Sequence, residues 1–351
     1  MIRRTRLPLL VTAALFSQGC APAPSPGQSP GVVSSEHAVA IVRGRNIVRP
    51  LVRRGSGVAV AVAIDGRIVW SEGFGHTSRE RTVAVSPAAR FRLYSLMKPV
   101  TAVLALQAAA RGEVRLNDPV RNVLPSLPAH YDRVTLTQLL AHRAGVRHYR
   151  DAVEASSSVA CARAAEALPL FVEDSLVATP GSEESYSTWG FVLASAVLER
   201  AAGMSFDSLF ATRLRMPAGM IHTARDTPAD STDRVSHYDV DSTGALRRTP
   251  RLDNSCKMGG GGYIGSAEDV ARFYMAVLGE TLVPMRAVRQ LLGGRDVFTA
   301  GGSGPGGEAV ALADLNARMA VVILSNTGGL EQRIALARAR ELLHAVFEPT
   351  P

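Results

Sequence analysis

Gly57-Val58-Ala59-Val60-Ala61-Val62-Ala63-Ile64-Asp65-Gly66-Arg67-Ile68-Val69-Trp70 reads as two β-strands joined by a two-residue turn. Asp-Gly between two β-rich runs is a strong hairpin signal, because both central residues of such a turn take positive φ. The far end of the chain repeats the pattern, with strand-like runs over 309–314 and 319–325 around Leu315-Asn316-Ala317-Arg318 and a closing amphipathic helix over 330–347. Helical patterns fill the middle, at about 95–110, 135–142, 189–202, 206–214 and 267–278. Hairpins at both ends with helices between predict an α+β fold. One antiparallel sheet would be built from both chain ends and flanked by helices, with a mainly helical lobe inserted over about 115–255.

The second decisive stretch is Arg92-Leu93-Tyr94-Ser95-Leu96-Met97-Lys98-Pro99-Val100. Ser95 is expected to cap the helix that follows, with Pro99 tolerated in a first turn whose amides have no helical partner. At a spacing of three, the Ser95 hydroxyl and the Lys98 ammonium share one face of that turn. A lysine there opposes the helix dipole, which a helix built for stability alone avoids, so the pair points to chemistry. Tyr186-Ser187-Thr188 follows the Pro180-Gly181 turn, and glycine runs occur at 259–262 and 301–302.

Composition sets the frame. The chain has 351 residues, 46% hydrophobic and 20% charged, which suits a globular domain with a sizeable core. The formal charge is +8, but basic residues are scattered among acids and no basic run suggests a nucleic-acid partner. Residues 1–19 read as a signal peptide, with Arg3, Arg4 and Arg6 ahead of an apolar run too short to span a bilayer. Ser17-Gln18-Gly19-Cys20 resembles a bacterial lipoprotein cleavage box, so Cys20 is the expected lipidation site and a lipid anchor the expected link to a membrane. Residues 20–36 read as a Pro/Ser-rich tether, and 37–348 as a single domain. Cys161 and Cys256 either pair or sit as small buried residues. No His/Cys spacing suggests a metal, and no cofactor signature is present.

Several motifs now line up. Ser95-Leu96-Met97-Lys98, Tyr186-Ser187-Thr188 and Ala300-Gly301-Gly302 resemble, in order, the three motifs of the serine penicillin-binding proteins and class C β-lactamases. Gly145-Val146-Arg147-His148-Tyr149 and Thr249-Pro250-Arg251-Leu252-Asp253-Asn254-Ser255 resemble its mitochondrial β-lactamase-like branch and bacterial relatives. The likeness spans about 55–345. It implies the β-lactamase/transpeptidase-like fold and an exported, periplasmic or cell-surface serine hydrolase that acts on a peptide or small acyl substrate. The mitochondrial relative self-assembles, so an oligomer is left open.

The resemblance also implies roles. Ser95 would be the nucleophile, Lys98 its base, and Tyr186 a second base or proton shuttle stabilised by Lys98. The backbone amides of Ser95 and Ser303 would form the oxyanion hole, and Thr188, Gly301 and Gly302 would meet substrate. Thr188 stands where asparagine is usual, and Ala300 where lysine or histidine is. Loss of that cation predicts peptidase or esterase activity rather than fast β-lactam hydrolysis. A carboxylesterase of the same fold and a non-catalytic binding module are the alternatives. A Ser/His/Asp triad through His142 or His148 with Asp118 or Asp151 is disfavoured, because no Gly-x-Ser-x-Gly elbow surrounds Ser95. His142 is expected to cap its local helix, and Lys257 is placed near the cleft.

Overall fold

The structure is a computed structural model that describes residues 28–53, 55–328 and 332–347. The proposed leader and Cys20 lie outside the described residues. None of the described helices is long and apolar enough to cross a membrane.

The described residues begin with β1 (Gln28–Val33), α1 (Ala38–Val48) and the hairpin β2 (Gly57–Ile64) and β3 (Arg67–Ser78), followed by β4 (Arg81–Ala84) and β5 (Phe91–Arg92). Then come α2 (Met97–Ala110), α3 (Leu136–Leu140), α4 (Ala152–Ala155), α5 (Thr188–Ala202) and α6 (Phe206–Phe210). Short strands β6 (Ala224–Arg225), β7 (Tyr238–Val240), β8 (Leu246–Arg248) and β9 (Tyr263–Gly265) lead into α7 (Ala267–Leu278) and α8 (Met285–Leu291). The chain closes through β10 (Val297–Gly304), β11 (Gly307–Asp314), β12 (Met319–Ser325) and α9 (Gln332–Glu341).

The main sheet runs β1-β3-β2-β12-β11-β10, antiparallel throughout, with β4 hydrogen-bonded to β3. Both chain ends build it, as the two hairpin patterns predict. Asp65 and Gly66 take φ of 46° and 79° at the first turn. Alternation along β2 then assigns the layers: Val58, Val60 and Val62 join the core under α1 and α9, while Ala59, Ala61 and Ala63 join the core with α2, α5 and α7. Small alanines on that face let helices approach the sheet closely. Trp70 stacks on Phe347 at 6.0 Å in the outer layer. The almost wholly buried α2 lies inside the inner layer, so its N-terminus carries Ser95 and Lys98 into the middle of the molecule.

Two expectations need correction. Gln28–Val33, inside the stretch read as a tether, is a strand; it covers the open edge of the long β3, whose backbone groups would otherwise lack partners. Ser95 does not cap α2. Tyr94–Leu96 forms a 3-10 turn, Leu96 holds the cap position, and no side chain caps the end. The Ser95 hydroxyl is thereby left free of capping. Cys161 and Cys256 are joined as a disulfide.

Candidate active site

Four segments meet at Ser95. The first is the turn into α2, where Tyr94 adopts φ of 47°, a left-handed conformation costing a non-glycine residue on the order of 1 kcal/mol or more. It is held by its hydroxyl, which donates to the Pro305 carbonyl at 2.9 Å. The second is the start of α5, where Ser187 caps the helix by accepting from the Gly190 amide at 2.8 Å and donating to the Arg147 carbonyl at 2.6 Å. That cap fixes Tyr186 on one side and Thr188 on the other. The third is the glycine run before β9, and the fourth is the edge strand β10.

Lys98 Nζ lies 2.8 Å from Ser95 Oγ, 3.2 Å from Thr188 Oγ1 and 2.9 Å from the Gly260 carbonyl, to which it donates. Tyr186 Oη lies 2.5 Å from Ser95 Oγ. Burial pushes the Lys98 ammonium down to about 7, because no carboxylate nearby offsets the lost hydration. Burial likewise raises Tyr186, although hydrogen bonds with Ser95 and Thr188 oppose the shift. The resting site therefore holds a phenol and a readily deprotonated amine. Lys98 Nζ also lies 4.7 Å from the centre of the Tyr186 ring.

His142 and His148 brace this arrangement. The His142 ring lies 4.4 Å from that of Tyr186, and its Nδ1 accepts from the Ser187 amide at 3.1 Å. The His148 ring meets Tyr186 edge-on, and its Nδ1 accepts from the Thr188 amide at 3.2 Å. Burial, and then the Lys98 charge, press both imidazoles down to about 4. Neither makes a hydrogen bond to Ser95. Asp151 instead caps α4, which leaves the triad reading without a geometry. His142 itself follows α3 at φ of 57°, and its ring supports Tyr186 and not the α3 end.

Gly302 marks where β10 presses on the nucleophile. A Cβ there would lie 2.7 Å from the Ser95 amide nitrogen and 3.0 Å from the Leu93 carbonyl, so only glycine lets the strand pass. Gly302 is thus a packing position, contrary to the expectation that it meets substrate. Ser303 and Gly301 line the cleft of about 390 Å³ beside Ser95. Thr188 lines it too, but it is buried and its hydroxyl lies against Lys98.

The cleft's far wall was not legible in the sequence. Arg92 pairs with the buried Asp226 at 3.0 Å and donates to the Pro305 and Pro250 carbonyls at 3.0 and 3.3 Å. Asp226 also accepts from Arg234 and from Asn254 Nδ2, and Asn254 Oδ1 accepts from Lys257 Nζ at 2.7 Å. Lys257 donates further to the Ala155 and Ser157 carbonyls at 2.7 and 3.3 Å, beside the disulfide. Residues spread from 92 to 305 build this network, and no spacing announces it. Its visible signs are Lys257, which the sequence reading places near the cleft, and the glycine run 259–262, where backbone passes Lys98 closely.

A β-lactamase family model matches residues 45–345. The serine beta-lactamase-like protein LACTB, mitochondrial, of Mus musculus is 26% identical, covering 63% of this chain and 54% of that protein. Esterase EstB of Burkholderia gladioli is 27% identical, covering 64% and 66%. The chain spans about half the length of the mitochondrial relatives it matches. Among solved structures, the D-amino acid amidase from Ochrobactrum anthropi superposes with a TM-score of 0.76 at 17% identity, covering 87% of this chain and 99% of that one, which speaks for the fold. The motif order, the antiparallel sheet with its helical layer and the family match over most of the chain agree: this protein belongs to the β-lactamase family, whose members are hydrolases of the acyl-transferring serine type.

Proposed function

We propose that the chain is a serine hydrolase that cleaves an amide or ester bond through an acyl-Ser95 intermediate. The convergence of Lys98 Nζ and Tyr186 Oη on Ser95 Oγ, at 2.8 and 2.5 Å, carries this reading. Neutral Lys98 has one lone pair and two N–H groups. The lone pair faces Ser95 while the N–H groups serve Thr188 and the Gly260 carbonyl, so the amine accepts the Ser95 proton without leaving a buried group unpaired. Ser95 Oγ then bonds to the substrate carbonyl carbon, and the amides of Ser95 and Ser303 take the oxyanion. Collapse breaks the bond to the leaving group, which receives the proton from Lys98 through Tyr186. Water attacks the acyl-enzyme by the same route in reverse and frees Ser95.

Ala300 supports esters and peptides as substrates in preference to β-lactams. Phe298 and Gly302, its neighbours on the same strand face, bring no cation beside Tyr186, and the cations of that flank, Arg143 and Arg295, stand on other segments. The relative named as an esterase favours a carboxylesterase as the second reading. Export through the leader, with anchoring at Cys20, belongs to the same proposal; the Cys161–Cys256 disulfide supports an oxidising compartment.

Intact-protein mass after incubation with a fluorophosphonate, and separately with a labelled penicillin, tests the reading, with Ser95→Ala beside the wild type. A Ser95-dependent fluorophosphonate adduct without a penicillin adduct is expected. An adduct with both reagents would put β-lactams back among the substrates. No adduct with either would leave the non-catalytic module as the better account.

A further inference from the structure

The strand that carries Ser303 has a buried acid behind it. Glu308 on β11 stands directly opposite Ser303 on β10 and Ser325 on β12. A Cβ on Gly307, the residue before it, would meet the Tyr94 hydroxyl and the His237 ring, so that position faces the catalytic layer. Glu308 therefore points to the other side of the sheet, in line with Val310 and Leu312 of the outer layer. It is 8% exposed, and its buried Oε2 has no hydrogen-bond partner among the described residues. The Ser325 hydroxyl is engaged with that of Thr327 at 3.0 Å. β10 and β12 carry no charged residue. On α9, which packs on β11, Arg333, Arg338 and Arg340 are exposed and Glu341 pairs with Arg338. Across the sheet, Arg92 is held by Asp226, the Tyr94 hydroxyl donates to the Pro305 carbonyl, and Asp239 accepts from the Gly306 amide. Burial pushes His237 well down, which leaves it neutral. Burial also pushes the Glu308 carboxyl up to about 8.

A structure built for stability alone would place an apolar residue here, since an unpaired buried carboxyl is costly once it ionises. Beside it lies the least braced strand of the sheet. β10 is an edge strand with glycine at 301, 302 and 304, so few side chains hold it. Gly302 passes so close to the nucleophile that a Cβ would lie 2.7 Å from the Ser95 amide nitrogen. A misplacement of about 1 Å at a reacting centre costs on the order of 100-fold in rate. Lifting this edge strand is the least costly way to bring water to an ionised Glu308. We infer that Glu308 is a positioning residue for the oxyanion hole: the neutral acid lets β10 lie against Ser95, and the carboxylate draws the strand, with Ser303, away from it. The inference rests on the acyl-serine reading above and deepens it by giving the site an alkaline limit, opposite to the acid limit set by Lys98.

Glu308→Gln keeps the shape of the side chain and removes its ionisation. The readout is the rate at which a fluorophosphonate labels Ser95, followed by intact mass across pH. Wild type and variant should agree near pH 6, and at about pH 9 the variant should label about tenfold faster, because few wild-type molecules still hold the neutral acid. Amide hydrogen exchange supplies a readout that needs no chemistry at Ser95. Corrected for the intrinsic effect of pH, wild-type protection over 297–304 should fall above about pH 8, while 57–64 in the same sheet keeps its own. In Glu308→Gln both should hold. Stability should follow: the unfolded carboxyl titrates at its ordinary value of 4.5, so across the window from there to about 8 rising pH weakens the wild type, and the Tm of Glu308→Gln should gain on it. An alkaline fall in labelling shared by a folded Glu308→Gln would assign that limit to another group and overturn the proposal. Protection over 297–304 that ignores pH would overturn it as well. If Ser95 is not labelled at any pH, the acyl-serine reading fails, and exchange over 297–304 alone decides whether Glu308 governs the strand. Should Glu308→Gln fail to fold, the wild-type exchange profile, compared between 297–304 and 57–64, decides in its place.

Discussion

On the Thr188 side of Ser95, nearly every polar group is held by another. Lys98 has three partners, Lys257 three, and Asp226 joins Arg92, Arg234 and Asn254. On the Ala300 side, Ala300 and Gly301 present no polar side chain, and the space of about 610 Å³ beyond them is lined by Leu291, Leu292 and Phe298 together with Arg143, Glu184 and Arg295. The first flank fixes protons and backbone; the second leaves room. A satisfied polar network is rigid, while the open flank leaves space for varied occupants. Catalysis should therefore be sensitive on the first flank and substrate choice on the second.

Lys98→Met attacks the first flank where it is strongest and should cost about 100-fold to 10,000-fold in kcat/KM, the range for losing a general base. The pH profile sharpens the assignment. With Lys98 pushed down to about 7 and both histidines to about 4, wild-type kcat/KM should rise through about pH 7 as the amine loses its proton. A profile flat between pH 6 and 9 would remove Lys98 as the base. Stability moves in the same direction. The unfolded lysine holds its proton up to its ordinary value of 10.5, so between 7 and 10.5 the unfolded state binds more protons and folding is favoured as pH rises. The wild-type Tm should gain on that of Lys98→Met across that window.

Gly302→Val tests whether β10 must touch the nucleophile. Its Cβ would meet backbone and not a yielding side chain, so the strand must withdraw from Ser95. Activity should fall about 100-fold or more, the scale of losing one oxyanion donor. A near-normal rate would mean that Ser303 contributes little.

Ala300→Lys makes the second flank resemble the first. Restoring the cation should increase the rate of labelling by penicillin about tenfold, the effect of one added favourable contact worth about 1.4 kcal/mol. The same change should weaken turnover of alkyl esters, since an ammonium would stand in the open space beside Ser95 that Ala300 leaves. Gain with penicillin but no loss with esters would separate the two roles assigned to Ala300.

Much of this contrast could be read ahead of the structure, and its limits have physical causes. The Asp65-Gly66 hairpin, the helix over 267–278 and the Ser95–Lys98 pair are local patterns, each specified by residues a few positions apart. β1 escaped notice because Gln28-Ser29-Pro30-Gly31 has tether composition, and its strand form comes from the edge it covers. Strands β5, β6 and β9 are too short to show a period. The Asp226 network depends on positions far apart in the chain, so only folding brings them together.

The smallest effect expected on activity concerns Lys257. It lines the cleft, and burial, followed by the Arg92 charge, pushes it down to about 8, so in isolation it looks like a second catalytic amine. Its bonds argue otherwise: all three point to Asn254 and to the carbonyls of Ala155 and Ser157, and none to Ser95 or Tyr186. It is a positioning residue that pins the 155–157 segment to the segment that also carries Cys256. Lys257→Met should lower Tm by a few degrees, because the buried Asn254 Oδ1 left unpaired costs about 1–3 kcal/mol. It should raise KM severalfold with little change in kcat, and leave the pH dependence near 7 in place. A fall in kcat with loss of that pH limb would make Lys257 part of the proton path, and the contrast between the two flanks would have to be redrawn around two amines.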